Sequence, residues 1–114
     1  MKKALSYIAL MAISFVLAAC SAGFDISKAE NIINKTEISE EEYSELISLY
    51  EIGMDDAISF SKKDEKSLSE KDRKEVLTVF AIGMRLNKDK DKLNEQQMSE
   101  FNRINQKGND ELKK

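Results

Sequence analysis

Two stretches decide the fold: Ser39–Met54, with the sequence SEEEYSELISLYEIGM, and Ser69–Met84, with the sequence SEKDRKEVLTVFAIGM. They align without gaps, six of the sixteen positions are identical, and both copies end in Ile-Gly-Met. Conservative pairs such as Tyr50 and Phe80 extend the match. Two amphipathic helices of similar composition can match in part by chance, but the shared Ile-Gly-Met favours an internal duplication of 39–54 as 69–84.

Each copy opens with a signal for the start of a helix. Ser39 with Glu42, and Ser69 with Asp72, match the capping box, in which each side chain bonds the backbone N–H of the other residue. The motif recurs at Asn94 with Gln97 and, more weakly, at Ser27 with Glu30. We therefore predict a helix start at each of these places.

Apolar residues recur at spacings of three and four after the caps, which is the period of an amphipathic helix. The first stripe predicts a helix over about 40–61 and consists of Tyr43, Leu46, Ile47, Tyr50, Met54, Ala57 and Ile58. The second predicts a helix over about 70–87 and consists of Val76, Leu77, Phe80, Gly83, Met84 and Leu86. The third, Met98, Phe101 and Ile104, predicts a helix over about 95–107 with Gly108 as its stop.

These helices predict an all-α fold, a small antiparallel up-down-up three-helix bundle over residues 38–107. The connections 61–68 and 87–93 are short and charged, which favours antiparallel neighbours. The chain contains no proline, in keeping with helices rather than a turn-rich β fold. We expect residues 20–37 to form a tether with a short helix at 27–35, and residues 108–114 to form a flexible tail.

The N-terminus has the organisation of an export signal. Lys2 and Lys3 precede the charge-free stretch 4–17, which is shorter than the roughly 20 residues that span a bilayer. The stretch ends in Leu17-Ala18-Ala19-Cys20, and Cys20 is the only cysteine. An ordinary buried cysteine and an uncleaved membrane anchor are the alternatives, and the position of this cysteine behind the apolar run disfavours both.

These four residues resemble the lipobox of bacterial lipoprotein precursors. The resemblance implies that residues 1–19 are a signal peptide cleaved between Ala19 and Cys20. It implies a diacylglycerol thioether and an N-acyl chain such as palmitate on Cys20, and no other cofactor. Ser21 stands where an aspartate would retain the protein at the inner membrane, which favours an outer-membrane location facing the periplasm in a Gram-negative host. In a Gram-positive host the protein would lie on the outer face of the only membrane.

Composition excludes several function classes. Loss of Lys2 and Lys3 leaves 16 basic against 21 acidic residues, a net charge of −5, which argues against a nucleic-acid partner. There is no histidine, and a lipidated Cys20 cannot serve as a nucleophile. We therefore predict that the protein is not an enzyme.

Two further clusters contain residue types that could form a site. Asn87, Asp89 and Asp91 have the spacing of a calcium loop, but Lys92 replaces the required glycine and Met98 the required acid, so we expect no metal. Gly53 and Gly83 lie mid-helix, where glycine costs about 1 kcal/mol relative to alanine. We predict that these glycines mark a helix crossing, with Met54 and Met84 as core fillers; a groove for a partner helix or an acyl chain is the alternative.

The functional hypothesis is therefore a membrane-anchored envelope lipoprotein that binds another envelope protein as an accessory. The predicted partner surface is the acidic, aromatic face of the first helix: Glu41, Tyr43, Glu45, Tyr50, Glu51 and Asp55. The alternatives are an inhibitory, immunity or exclusion lipoprotein, and a carrier of an apolar ligand in a helical groove.

Overall fold

All three strong helix starts are confirmed in the computed structural model, which describes residues 23–113. Ser39, Ser69 and Asn94 are N-caps with complete, reciprocal capping boxes. At Ser39, for example, the hydroxyl accepts from the Glu42 N–H at 3.2 Å, and the Glu42 carboxylate accepts from the Ser39 N–H at 3.0 Å. The predictions for residues 1–22, including the signal peptide, its cleavage site and Cys20, lie outside the described residues.

The described part of the chain is a bundle with four α-helices. They are α1 (Ile26–Ile33), α2 (Glu40–Ser61), α3 (Glu70–Lys88) and α4 (Glu95–Leu112). Single 3-10 turns, Glu65–Ser67 and Lys90–Lys92, lie in the connections on either side of α3. The predicted bounds of α2 and α3 are therefore correct to within one residue.

The prediction for the end of α4 is wrong. The helix continues through Gly108 to Leu112, so most of the expected flexible tail 108–114 is helical. Gly108 is buried because the Met54 side chain packs against it, with Sδ only 2.7 Å from the position a Cβ would occupy. The glycine that looked like a stop is a contact between α4 and α2.

The short helix predicted at 27–35 is present as α1 (Ile26–Ile33), but the tether prediction is wrong from Phe24 onwards because this helix belongs to the bundle. The α1 helix packs against α3 and α2 and buries Phe24, Ala29 and Ile32. Its N-cap is Asp25, whose carboxylate accepts from the Lys28 N–H at 3.0 Å, and not the predicted Ser27. A bundle of three helices therefore omits one packed element.

Helix α2 is the centre of the bundle. It packs against α3, α4 and α1, and its predicted stripe is buried except for Ala57, which is half-buried. The largest fully buried side chains are Leu46 of α2, Ile82 and Leu86 of α3, and Ile104 of α4. The core therefore lies along α2, with the other helices arranged around it.

The predicted core face of α3 is confirmed at Leu86 and wrong at Leu77, Phe80 and Met84. The buried residues of α3 are Glu75, Thr78, Val79, Ile82 and Leu86. Leu77, Phe80 and Met84 are 68%, 62% and 73% exposed. Helix α3 therefore has two apolar faces, and the one that packs contains a glutamate and a threonine that weaken its apolar signal in the sequence.

Arg85 joins three elements at one end of the bundle. Its Nε donates to Asp89 Oδ2 at 2.7 Å, and its Nη1 donates to the carbonyls of Ile33 and Lys35, both at 2.8 Å. Tyr43 of α2 donates its hydroxyl to the same Asp89 oxygen at 2.7 Å. Burial, followed by the hydrogen bond to Asp89, raises the pKa of Tyr43 to about 12. The network fixes the ends of α1 and α3 against the start of α2.

Gly53 lies at the crossing of α2 with α3. A Cβ there would collide with Val79 Cγ2 and would lie 2.9 Å from Phe24 Cε2. Because the Val79 side chain occupies this space, the crossing is close but not a direct contact of two backbones.

Gly53→Ala should lower the free energy of unfolding by about 1–3 kcal/mol, since Val79 is β-branched and cannot easily move aside. Gly108→Ala is the matched control, because its neighbour is the flexible Met54; there we expect no loss, or a gain of up to about 1 kcal/mol from helix propensity. Urea unfolding of the full-length variants, followed by circular dichroism, measures both. Equal effects of the two substitutions would contradict this account.

Candidate binding groove

An apolar groove lies between α3 and α4, with α2 as its floor. Both helices pack against α2, and they form no comparable interface with each other, so the space between them stays open. The groove encloses about 320 Å³ and is lined by residues that carry no charge: Tyr50, Met54, Ala57, Val76, Val79, Phe80, Gly83, Met84, Asn87, Phe101, Asn105 and Leu112.

Tyr50 forms the floor of the groove. Its hydroxyl donates to Asn105 Oδ1 of α4 at 2.5 Å, and its ring packs against Phe101 with centroids 5.6 Å apart. On the other side it touches Gly83 of α3, where a Cβ would lie only 3.0 Å from the hydroxyl oxygen. Tyr50 therefore lies at the bottom of the space between α3 and α4, where the absence of a side chain at Gly83 makes room for it.

The rim of the groove is formed by large apolar side chains that face solvent. Phe80 and Met84 lie on the α3 side and continue into Leu77, and Leu112, which is 42% exposed, closes the α4 end. Scattered single apolar residues are ordinary on a protein surface, whereas a contiguous patch beside a concave groove is typical of an interaction site. The arrangement can bind an apolar chain or the apolar face of a helix.

The partner surface predicted on α2 is wrong in its aromatic part. Tyr43 and Tyr50 are 2% and 6% exposed, and both hydroxyls are used inside the bundle. Three of the acids pair with neighbouring helices: Glu45 with Lys28 of α1, and Glu51 and Asp55 with Arg103 and Lys107 of α4. Glu41 is exposed on α2. Whether any of these acids meets a partner stays a prediction.

The four residues predicted at the helix crossing occupy different environments. Gly53 and Met54 lie in the core, whereas Gly83 lines the groove and Met84 is exposed on its rim. Met84 is therefore not a core filler. Equivalent positions of the two repeats thus differ, one copy packing where the other faces solvent.

A buried acid that the sequence reasoning missed lies beside the groove. Glu75 of α3 is 7% exposed, and its Oε2 atom has no hydrogen-bond donor among the described residues. Burial, then the hydrogen bond to Asp56 of α2 and the negative charges of Asp56 and Asp72, raises the pKa of Glu75 to about 8 against a weak opposing effect of Lys71. A protonated Glu75 can donate to the Asp56 carboxylate, which satisfies the pair.

The rejected calcium motif serves a structural role. Asp89 is 4% exposed and accepts from Arg85 and Tyr43. Burial opposes ionisation of Asp89, but those two hydrogen bonds lower its pKa. Among residues 23–113, no group of three or more side chains of the metal-ligating types lies close enough together to hold a metal ion.

No protein-family model matches the chain, and no curated protein or solved structure is detectably similar to it. Within residues 23–113, no helix combines the length and hydropathy needed to cross a membrane.

Glu75→Gln should flatten the pH dependence of stability. The folded-state pKa of Glu75, about 8, exceeds the ordinary glutamate pKa of 4.5, so between these pH values the folded chain holds a proton that the unfolded chain has lost. The stability of the wild type relative to Glu75→Gln should therefore fall as pH rises through this window, with a slope of at most about 1.4 kcal/mol per pH unit.

Urea unfolding of the full-length protein between pH 4.5 and 8 measures this difference. The control is Glu41→Gln, which makes the same chemical change at an exposed position of α2. If the curves of Glu75→Gln and wild type ran parallel over the whole window, Glu75 would not be held protonated in the folded protein.

Proposed function

We propose that the protein is a non-enzymatic lipoprotein of the bacterial cell envelope that binds a partner protein through the groove between α3 and α4. The observation that carries the binding part is the uncharged groove, with Leu77, Phe80 and Met84 exposed along one side. Keeping three large apolar side chains in water is unfavourable by roughly 1.5–3 kcal/mol for each one that could be fully buried. A partner that covers them recovers part of that free energy.

The proposed anchor is Cys20, carrying diacylglycerol and an N-acyl chain after cleavage behind Ala19. Two or more acyl chains hold a protein stably at a membrane, whereas one chain binds only marginally. In a Gram-negative host, Ser21 favours the outer membrane, with the helices in the periplasm. Only three residues separate Cys20 from Phe24 in the sequence, so the proposed anchor would keep the bundle close to the lipid surface.

The proposed bundle topology is up-down-up for α2, α3 and α4. The short connections support it, because each contains a 3-10 turn that ends two residues before the N-cap of the next helix. In this arrangement the groove runs along two neighbouring helices of one bundle. A helix inserted there would complete a second four-helix arrangement with α2, α3 and α4.

A second candidate function is carriage of an apolar ligand such as an acyl chain. It is favoured by the absence of charge in the lining and by the recess at Gly83. Ligand pockets of known proteins enclose about 300–1,000 Å³, so the volume of the groove falls at the lower end of that range. The groove is open to solvent beside Phe80 and Met84, which suits a partner helix better than an enclosed ligand.

Cys20→Ser should prevent lipidation and processing of the precursor in the host. We expect loss of labelled palmitate incorporation and retention of residues 1–19, because a hydroxyl does not replace the thiolate in forming the thioether. Mass spectrometry of the protein recovered from membranes measures both effects, with Ser21→Ala as the control. Normal acylation of Cys20→Ser would contradict the proposed anchor without touching the proposed groove.

Phe80→Ala combined with Met84→Ala should reduce partner capture about tenfold or more, as expected for apolar residues at the centre of an interface. Both side chains are exposed, so folding should be little affected. The readout is crosslinking of the full-length protein in the host envelope, quantified by mass spectrometry.

Phe60→Ala is the matched control, because Phe60 is a half-buried phenylalanine of α2 that does not line the groove.

Native mass spectrometry of the purified protein tests the second candidate, since a carrier would retain lipid. Undiminished capture by the Phe80/Met84 variant, together with loss of capture on Glu41→Lys, would move the site to the acidic face of α2.

A further inference from the structure

The exposed stripe of α3 has a positive charge at each end. Arg73, Leu77, Phe80, Met84 and Lys88 follow one another at helical spacings of three and four, so they share a face. The three apolar members are the exposed ones of the groove rim, and Arg73 and Lys88 are exposed beyond them. Arg73 and Lys88 are therefore about 22 Å apart along the helix axis, at about 1.5 Å per residue.

These two cations are available to a partner. Among the ion pairs of the described residues, neither Arg73 nor Lys88 has an acidic partner; Arg73 only approaches the carbonyl of Glu65, at 3.5 Å. From Val76 to Lys88 the helix contains no acid. In a protein whose net charge is negative, the stripe is thus a local region bounded by positive charge.

The groove has the length of a short helix. Its walls run from Val76 to Asn87 on α3 and from Phe101 to Leu112 on α4, which is about 16 Å on each side, or about three helical turns. An amphipathic helix that lays its apolar face into such a groove uses residues at spacings of three and four as anchors. The lining offers no charge to pair with, so the seated face must be apolar.

Given the proposed function, on which this inference rests, we propose that the partner binds through an amphipathic helix. This helix has an apolar face about three turns long and an acidic residue near each end. The apolar face fills the groove beside Phe80 and Met84. The two acids lie about four turns apart and pair with Arg73 and Lys88. This specifies the chemistry of the partner, which the apolar groove alone leaves open.

The charges disfavour a second copy of the chain as the occupant. In a pairing of two α3 stripes, an antiparallel arrangement places Arg73 beside Lys88 of the other copy, and a parallel arrangement places each cation beside its own equivalent. Like charges meet at both ends in either case, which is unfavourable at an interface.

A lipid surface is disfavoured by shape and by charge. The floor, formed by Tyr50, lies recessed between α3 and α4, where a planar surface would reach only the rim. The described residues carry 15 basic and 21 acidic side chains, which opposes attraction to anionic lipid.

The test uses the full chain reconstituted into phosphatidylcholine vesicles and a Phe80→Trp variant as the reporter, because the sequence contains no other tryptophan. Three synthetic peptides serve as probes: a leucine-faced helix with glutamates at both ends, the same helix with lysines there, and a glutamate-ended peptide whose leucines are scattered around the helix. A blue shift of the tryptophan emission reports occupation of the groove, with protein-free vesicles as the blank.

We expect the glutamate-ended helix to bind about tenfold more tightly than the lysine-ended helix, with the scattered peptide not binding detectably. Arg73→Glu combined with Lys88→Glu should invert that preference, since rim charges set partner choice. The control is Lys28→Glu combined with Lys35→Glu, which changes the net charge by the same amount but lies on α1 and the chain that follows it. This control should leave the preference between the two peptides unchanged. The preference should shrink at high salt.

Four results would overturn the inference, and they differ from a failure of the proposed function. Equal binding of both leucine-faced helices would show that acidic ends are not required, although the groove would still bind an amphipathic helix. A blue shift produced by phosphatidylglycerol vesicles alone, or by raising the protein concentration alone, would assign the stripe to lipid or to a second copy. If neither helix bound but envelope crosslinking still depended on Phe80, partner binding through the groove would be supported and a helical partner would be excluded.

Discussion

The position of Tyr50 between α3 and α4 is the constraint on which the groove depends. Its ring lies on Phe101, its hydroxyl bonds Asn105, and the glycine at position 83 leaves it the space to do so. Burial raises the pKa of this hydroxyl, which therefore remains a neutral donor. Because the Tyr50 side chain of α2 contacts both α3 and α4, each of these helices packs against α2, and they do not meet each other above Tyr50. The groove follows from that packing, and so do the exposed residues of its rim.

Helix starts and the central helix could be predicted from the sequence, and the packing of α3 could not. Capping boxes are local, so Ser39, Ser69 and Asn94 could be recognised without tertiary information. The face of α3 depends on which of two apolar stripes meets α2, and Glu75 and Thr78 hide the one that does. Gly108 was misread as a helix stop because only the packed structure shows Met54 against it. The raised pKa of Glu75 is similarly a consequence of its burial beside Asp56.

The two copies of the predicted duplication lie in different environments, and this difference bears directly on function. Tyr50 is buried and Phe80 is exposed, although they occupy equivalent positions, and the same holds for Met54 and Met84. In the first copy the apolar stripe builds the core, whereas in the second the corresponding stripe forms the rim of the groove. The sequence predicted a groove at the two glycines only as the alternative to a helix crossing, because the residues that line it around Gly83 have the composition of a core. Solvent exposure on α3, rather than residue type, distinguishes the residues of the groove rim from residues of the core.

Methyl NMR of the protein in the presence of the glutamate-ended leucine-faced helix tests the central claim most directly. The account predicts that the methyl signals of Leu77, Val79, Met84 and Leu112 shift on binding, while those of Ala29 and Ile32, which are buried in α1 on another side of α2, stay in place. Shifts confined to residues outside the groove, or no shift at peptide concentrations that saturate binding, would contradict it.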